Sequence, residues 1–254
     1  MYQKRQAFYV FPIAVILMLA ALQSKSQDSK KITIKTSADL VSSYIWRGVP
    51  CCTDQNGKSV LAPHIQPTLA FDLGGFELGA WGSSDFSGSY KEMDLYASYS
   101  VKGVTATFTD YFWDPTWATK SYFSYKNETT GHVLEGSLGY KGEKVPISIL
   151  VATMFYGADK KSEDPTKNNF STYIELGYTF KVKDNTFDAI MGMTPTDGFY
   201  GDGYGNVTGF GVVNLGLTAS KKIQLSEKYS TTLRSSLIFN PQQEKSYLVV
   251  GITF

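Results

Sequence analysis

Cysteine is almost missing from this chain of 254 residues, and the two present, Cys51 and Cys52, are neighbours. An adjacent pair is not a disulfide framework, so no fold stapled by bridges is expected. The pair could close a strained ring or join a metal site with further ligands, but its polar surroundings call for neither. No metal and no cofactor is expected. Histidine is nearly as scarce, with His64 and His132 alone, which leaves few bases for hydrolytic chemistry. Charge of either sign is also lacking in excess: 24 Lys and Arg stand against 23 Asp and Glu. That balance excludes the basic footprint of a nucleic-acid binder. Beyond Leu22 no apolar run approaches the ~20 residues of a membrane helix. Mean hydropathy is slightly negative. These two absences argue against a helical membrane protein but not against a barrel, whose strands alternate apolar and polar residues and average out.

The N-terminus supplies a compartment. Lys4-Arg5 precedes an apolar run from Ala7 to Leu22 broken only by Pro12, and Ser24-Lys25-Ser26 follows with small residues at cleavage spacing. This reads as a cleaved signal peptide over 1–26, leaving a single domain over 27–254. A transmembrane anchor is the alternative, but the run is slightly short and no basic flank follows it. No linker or low-complexity tract divides the rest.

From Lys31 onward the chain is a series of period-2 segments separated by turns. In 32–47, Ile34, Leu40, Tyr44 and Trp46 oppose Lys35, Asp39, Ser43 and Arg47. Leu69, Phe71 and Leu73 oppose Asp72; Phe76, Leu78 and Ala80 oppose Glu77 and Trp81; Met93, Leu95, Ala97 and Tyr99 oppose Asp94, Tyr96 and Ser98. Val104, Ala106 and Phe108 face away from a ladder of Thr105, Thr107 and Thr109. The pattern recurs around Leu134–Tyr140, Phe170–Phe180, Phe187–Met193, Val213–Ala219 and Leu233–Phe239, and ends with Leu248, Val250, Ile252 and Phe254 on one face. The segment 147–156 is apolar on both faces, so its orientation is unreadable.

Connections alternate as well. Gly74-Gly75, Lys102-Gly103, Lys141-Gly142-Glu143, Lys183-Asp184-Asn185 and the stretch near Leu225-Ser226-Glu227 are short, while 48–60, 84–91, 114–119, 157–169, 195–208 and 240–246 are long. Short turns on one side and long loops on the other describe an all-β, up-and-down antiparallel transmembrane β-barrel of about twelve strands. That count treats 119–140 as one long strand with a bend at Asn127–Gly131, because a turn there gives an odd number. A soluble sandwich would also alternate, but its outer face would carry more Lys and Glu than these Ser-, Thr-, Gly- and Tyr-rich polar faces. Asp110 alone breaks the rule, falling on an apolar face by parity.

The terminal aromatic, Phe254, is similar to the ending of outer-membrane β-barrel proteins, where the last strand seals the barrel and carries the assembly signal. The segment Ser37-Ala38-Asp39-Leu40-Val41-Ser42-Ser43-Tyr44-Ile45-Trp46-Arg47-Gly48 resembles the opening strand of the Gcw_chp family of TorF-type porins. Pro67-Thr68-Leu69-Ala70-Phe71, Gly79-Ala80-Trp81-Gly82-Ser83, Glu92-Met93-Asp94-Leu95-Tyr96 and Asp110-Tyr111-Phe112 extend the likeness over the first third of the mature chain. Pro50-Cys51-Cys52 and a longer insertion replace the family's short loop after Arg-Gly. The resemblance implies a porin in the outer membrane of a Gram-negative bacterium. Its partners would then be outer-membrane lipid, the barrel assembly machinery and small solutes.

A pore needs a lumen rather than a catalytic constellation. With apolar faces toward lipid, the lumen-lining candidates are Lys35, Asp39, Arg47, Asp72, Glu77, Asp94, Glu135, Glu175, Asp188 and Arg234. Acids outnumber bases among them, which predicts a weak preference for cations, unless pairing across the lumen only holds the barrel's shape. A lipid-modifying enzyme is an alternative, but no G-x-S-x-G occurs, and His132 and Glu135 fall on opposite faces of a strand. No catalytic residue is assigned, and His132 is expected at an exposed strand end. Surface binding through the Gly- and Tyr-rich stretch 197–206 is a further alternative, though it lacks the spacing of a calcium loop.

Overall fold

Alternation along the sequence becomes alternation of outside and inside in space. The structure, a computed structural model, describes residues 32–52, 60–113, 121–142, 144–200 and 209–254. The signal peptide expected over 1–26 lies outside those residues. The strands are β1 (Thr33–Val41), β2 (Ile45–Trp46), β3 (Val49–Pro50), β4 (His64–Asp72), β5 (Phe76–Asp85), β6 (Lys91–Val101) and β7 (Val104–Phe112). They continue as β8 (His132–Lys141), β9 (Ile147–Gly157), β10 (Thr172–Val182), β11 (Asn185–Thr194), β12 (Gly211–Gln224), β13 (Ser230–Asn240) and β14 (Lys245–Thr253). Twelve of them form one closed antiparallel barrel in which sequence neighbours pair throughout, while β2 and β3 pair only with each other.

Closure satisfies the backbone. β14 meets β1 with Asp39 opposite Thr253 and Val41 opposite Gly251, and Phe254 and Ala38 exchange both backbone hydrogen bonds, at 3.0 and 3.2 Å. The ring therefore has no free edge to pair with another chain. Its short turns are tight by composition. Lys102 and Gly103 both take positive φ, 49° and 79°, the two-residue turn whose twist matches the flanking strands.

The outer wall is apolar along its height. Leu69, Phe71, Phe108, Leu138, Ile149, Val151, Leu176, Leu217, Leu237, Leu248 and Val250 all point outward and are exposed. Rings gather near the short-turn rim: Tyr99, Tyr140, Tyr178, Phe180 and Phe254. The β8–β9 register resolves the ambiguous segment, with Ile147, Ile149 and Val151 outside and Ser148, Ala152 and Met154 inside.

Two expectations about segments need correction. The first strand does not run to Arg47. β1 stops at Val41 and the chain turns into the barrel as the hairpin β2–β3, so Tyr44 and Trp46 pack against inward-facing rings instead of joining the outer face with Leu40. Likewise 119–140 is not one bent strand. β8 begins at His132, and residues ahead of it form a turn in which Thr129 N and Thr130 N both donate to Lys126 O. That turn adds no barrel strand, so the even number stands.

Candidate functional site

The inward residues form two layers. Toward the short-turn end the layer is polar and wet. Lys35 Nζ on β1 bridges Asp72 on β4 at 2.7 Å and Glu77 on β5 at 2.8 Å. Arg234 on β13 reaches Asp39 on β1 at 2.9 Å across the intervening β14, where Gly251 stands opposite it in register. Tyr96 donates to Glu77 at 3.0 Å, and Thr179 donates to Asp188 at 2.6 Å. Lys35 is 52% exposed and Arg234 37%, so these pairs are solvated. Solvent screening leaves each of them little stability to contribute, and they serve more to shape the field in the lumen than to hold the barrel.

Toward the long-loop end the hairpin packs against the inner wall. Ser42 N donates to Val250 O, Asn240 Nδ2 donates to Gly48 O at 3.0 Å, and Cys51 N closes the hairpin on Tyr44 O at 3.0 Å. Gly48 takes φ +83° with the backbone of Val213 directly against its Cα, so no side chain fits there. Arg47 sits at the turn with φ +52° and projects across the interior. Its Nη1 and Nη2 donate to the two oxygens of Glu135 at 2.6 and 2.9 Å, and Nη1 also donates to the Tyr200 hydroxyl. Trp46 lies with its ring 4.4 Å from the guanidinium carbon, and Tyr173 with its ring 4.9 Å away. Trp46 in turn packs against Tyr111, Trp113, Phe199 and Tyr200.

Pairing explains why Glu135, only 2% exposed, is tolerated there. A bidentate guanidinium plus the Tyr111 hydroxyl, which donates to Glu135 at 3.0 Å, meets both carboxylate oxygens. A second buried group lines the wall beside the hairpin. Tyr44 packs against His64, Trp81 and Tyr90. His64 Nδ1 meets Ser83 Oγ at 3.0 Å, and its Nε2 is buried with no hydrogen-bond partner. Glu92 accepts from the Tyr90 hydroxyl at 2.7 Å and Asp94 from Phe112 N at 3.4 Å. Neither has an ion pair among the described residues.

Nine of the ten lumen candidates lie on inward positions of barrel strands: Lys35, Asp39, Asp72, Glu77, Asp94, Glu135, Glu175, Asp188 and Arg234. Arg47 lies in the interior too, but on the hairpin rather than on the wall. The aromatic half of the site was missed. Tyr111 and Tyr173 share parity with the Thr105–Thr109 ladder and with Glu175, a signal that was open to reading. Tyr200 and Phe199 come from a loop and carry no such signal.

Outside the barrel, Asp110 and His132 account for each other. Asp110 does fall on the outer face, and His132 Nδ1 meets its Oδ1 at 2.7 Å while Tyr125 donates to Oδ2 at 2.6 Å. Phe112, Tyr122 and Tyr125 enclose the imidazole, so His132 is fully buried rather than exposed at a strand end. Nε2 points at the Tyr122 carbonyl at 2.5 Å, where a nucleophilic hydroxyl would have to lie in a hydrolase. Cys51 and Cys52 are free thiols, and Cys52 is buried. Of the stretch 197–206, Phe199 and Tyr200 turn into the barrel; 201–206 lies outside the described residues.

No family model and no curated protein matches the chain. The likeness to the Gcw_chp family therefore stays a resemblance of motifs. Among solved structures the chain is similar to a mutant of the Rh. blastica porin, at 12% identity and a TM-score of 0.38, over 75% of this chain and 55% of that one. It is also similar to the anion-selective porin from Comamonas acidovorans, at 10% identity and a TM-score of 0.34, over 88% of this chain and 98% of that one. The chain spans little more than half the length of the first. Likenesses this loose carry nothing about what passes through the barrel.

Proposed function

We propose that this chain is an outer-membrane channel of narrow bore. In this reading it is exported by a signal peptide removed after Ser26, and it passes small solutes with a weak preference for cations. The observation that carries the reading is the contrast between the two walls. The outside is an apolar band far larger than the few hundred Å² that a soluble monomer exposes, and hydrocarbon is the solvent such a band suits. The inside holds hydrated ion pairs where a filled small barrel would hold apolar side chains.

The β2–β3 hairpin sets the bore in this reading. It fills the long-loop half of the lumen, so conductance is small and larger solutes are excluded. The cation preference follows from pairing. In the wet layer two cations, Lys35 and Arg234, are paired among four carboxylates, Asp39, Asp72, Glu77 and Asp188, so acid outnumbers base where water reaches. Planar-bilayer recording of refolded protein tests both parts. Small discrete conductance steps with a cation-favouring reversal potential are expected. Folded protein that never conducts would sink the channel, and anion selectivity would sink the charge argument.

A further inference from the structure

The lumen already contains a bound guanidinium, and it is the chain's own. A carboxylate meets both terminal nitrogens of Arg47, a hydroxyl accepts a third hydrogen bond, and two aromatic rings lie over the guanidinium plane region at 4.4 and 4.9 Å. That combination of fork, acceptor and π-faces is how proteins single out guanidinium from other cations. The cage and its occupant are built differently. Glu135, Tyr111 and Tyr173 stand on barrel strands β8, β7 and β10. Arg47 stands on a hairpin with no strand pairing to the barrel, and Trp46, the nearer ring, stands beside it on that hairpin. The wall also has an acceptor to spare. Asn214 on β12 donates through Nδ2 to the Tyr173 hydroxyl at 3.0 Å, and its buried Oδ1 has no partner.

We propose that this cage is a recognition site for guanidinium-bearing solutes, the class of arginine and arginine-containing peptides, and that Arg47 is its resident competitor. A solute that takes Glu135 displaces Arg47. The hairpin then loses the ion pair that crosses the lumen, and the way past it widens. The inference deepens the channel reading by naming its solute class, and it rests on that reading only for access to the lumen. Because Arg47 is tethered beside the cage, its effective concentration is about millimolar or higher, and a free solute binds the intact protein weakly.

Removing the competitor exposes the site. Full-length Arg47→Ala, folded in detergent micelles, is titrated calorimetrically with L-argininamide, with L-lysinamide as the charge-matched control. Saturable binding is expected, at least about tenfold tighter than to the unsubstituted protein and about tenfold tighter than lysinamide, which lacks the fork. The double variant Arg47→Ala/Glu135→Gln should lose it. Folded Arg47→Ala that does not bind, that binds lysinamide equally, or that binds as well without Glu135 overturns the proposal. Should Arg47→Ala not fold, Arg47→Gln keeps much of the stem while withdrawing both the fork and the charge, and the same criteria apply. Calorimetry needs no conduction. A protein that binds argininamide in micelles but is silent in bilayers would therefore condemn the channel and keep the cage.

Discussion

His132 and Asp110 form a buried pair on the outer wall, Nδ1 to Oδ1 at 2.7 Å, with the segment ahead of β8 folded over them. The Tyr122 carbonyl takes Nε2, the Tyr125 hydroxyl takes the other carboxyl oxygen, and Tyr156 on β9 donates to Tyr125 O at 2.6 Å. These contacts fix a surface turn to the barrel with polar groups that would otherwise face an apolar wall.

His132→Ala should therefore free that turn. It leaves a buried Asp110 oxygen without its hydrogen-bond partner beside an empty space, a defect costing about 1–3 kcal/mol. Faster hydrogen exchange over 121–131 and tryptic cleavage after Lys126 are expected, with β10–β13 unchanged. Exchange equal to that of the unsubstituted protein would show that the pair clamps nothing.

Arg47 and Glu135 should prove strongly coupled. Truncating Arg47 strands a carboxylate at 2% exposure, so Arg47→Ala is expected to lose about 3–5 kcal/mol. Glu135→Gln added to it should restore part of the loss. A double-mutant cycle by urea unfolding in micelles should give a coupling of about 1–3 kcal/mol. Additive losses would mean that the ring packing around Trp46, not the ion pair, seats the hairpin.

The two walls can be told apart by one substitution on each. Leu217 and Thr218 are neighbours near the middle of β12, the first outward and 43% exposed, the second inward and bonded to Ser236 at 2.8 Å. Leu217→Arg should cost about 2–4 kcal/mol of stability in lipid vesicles, the penalty for Arg facing hydrocarbon at mid-depth. Thr218→Arg should cost under about 1 kcal/mol, since the lumen hydrates the charge. The reverse ranking would invert the barrel's solvent assignment.

Charge at the wet layer should tune selectivity. Lys35→Glu replaces the shared partner of Asp72 and Glu77 with a third acid. The cation-to-anion permeability ratio from reversal potentials should rise about twofold or more. An unchanged ratio would locate the selectivity elsewhere in the lumen.

The barrel was largely legible because its signals are local. Parity places Leu69, Leu138 and Leu248 outside from their immediate neighbours, and Lys102-Gly103 announces a turn by its own backbone preference. The hairpin was illegible because Tyr44 and Trp46 continue the parity of Leu40 across the end of β1, so the pattern disguises a change of direction. Only Gly48 marks the break. The Arg47 cage draws on Glu135 and Tyr200, residues brought close by barrel closure and by no spacing in the chain. The ion pairs lie between these extremes. Their members were found by parity, but Lys35 meets Asp72 and Glu77 through strand register, and Arg234 meets Asp39 only where β14 closes on β1.

The joint between β14 and β1 is the shortest in the ring, running from Asp39–Val41 against Gly251–Thr253 and ending on the Ala38–Phe254 pair, while β1 and β4 zip along their whole length. A hoop parts at its narrowest lap. It is also the one lap whose two halves lie at opposite ends of the strand order, whereas every other seam joins strands adjacent in that order. Without that seam the other eleven amount to a curled sheet with two open borders, and the Ala38–Phe254 pair is part of what makes a vessel of a ribbon.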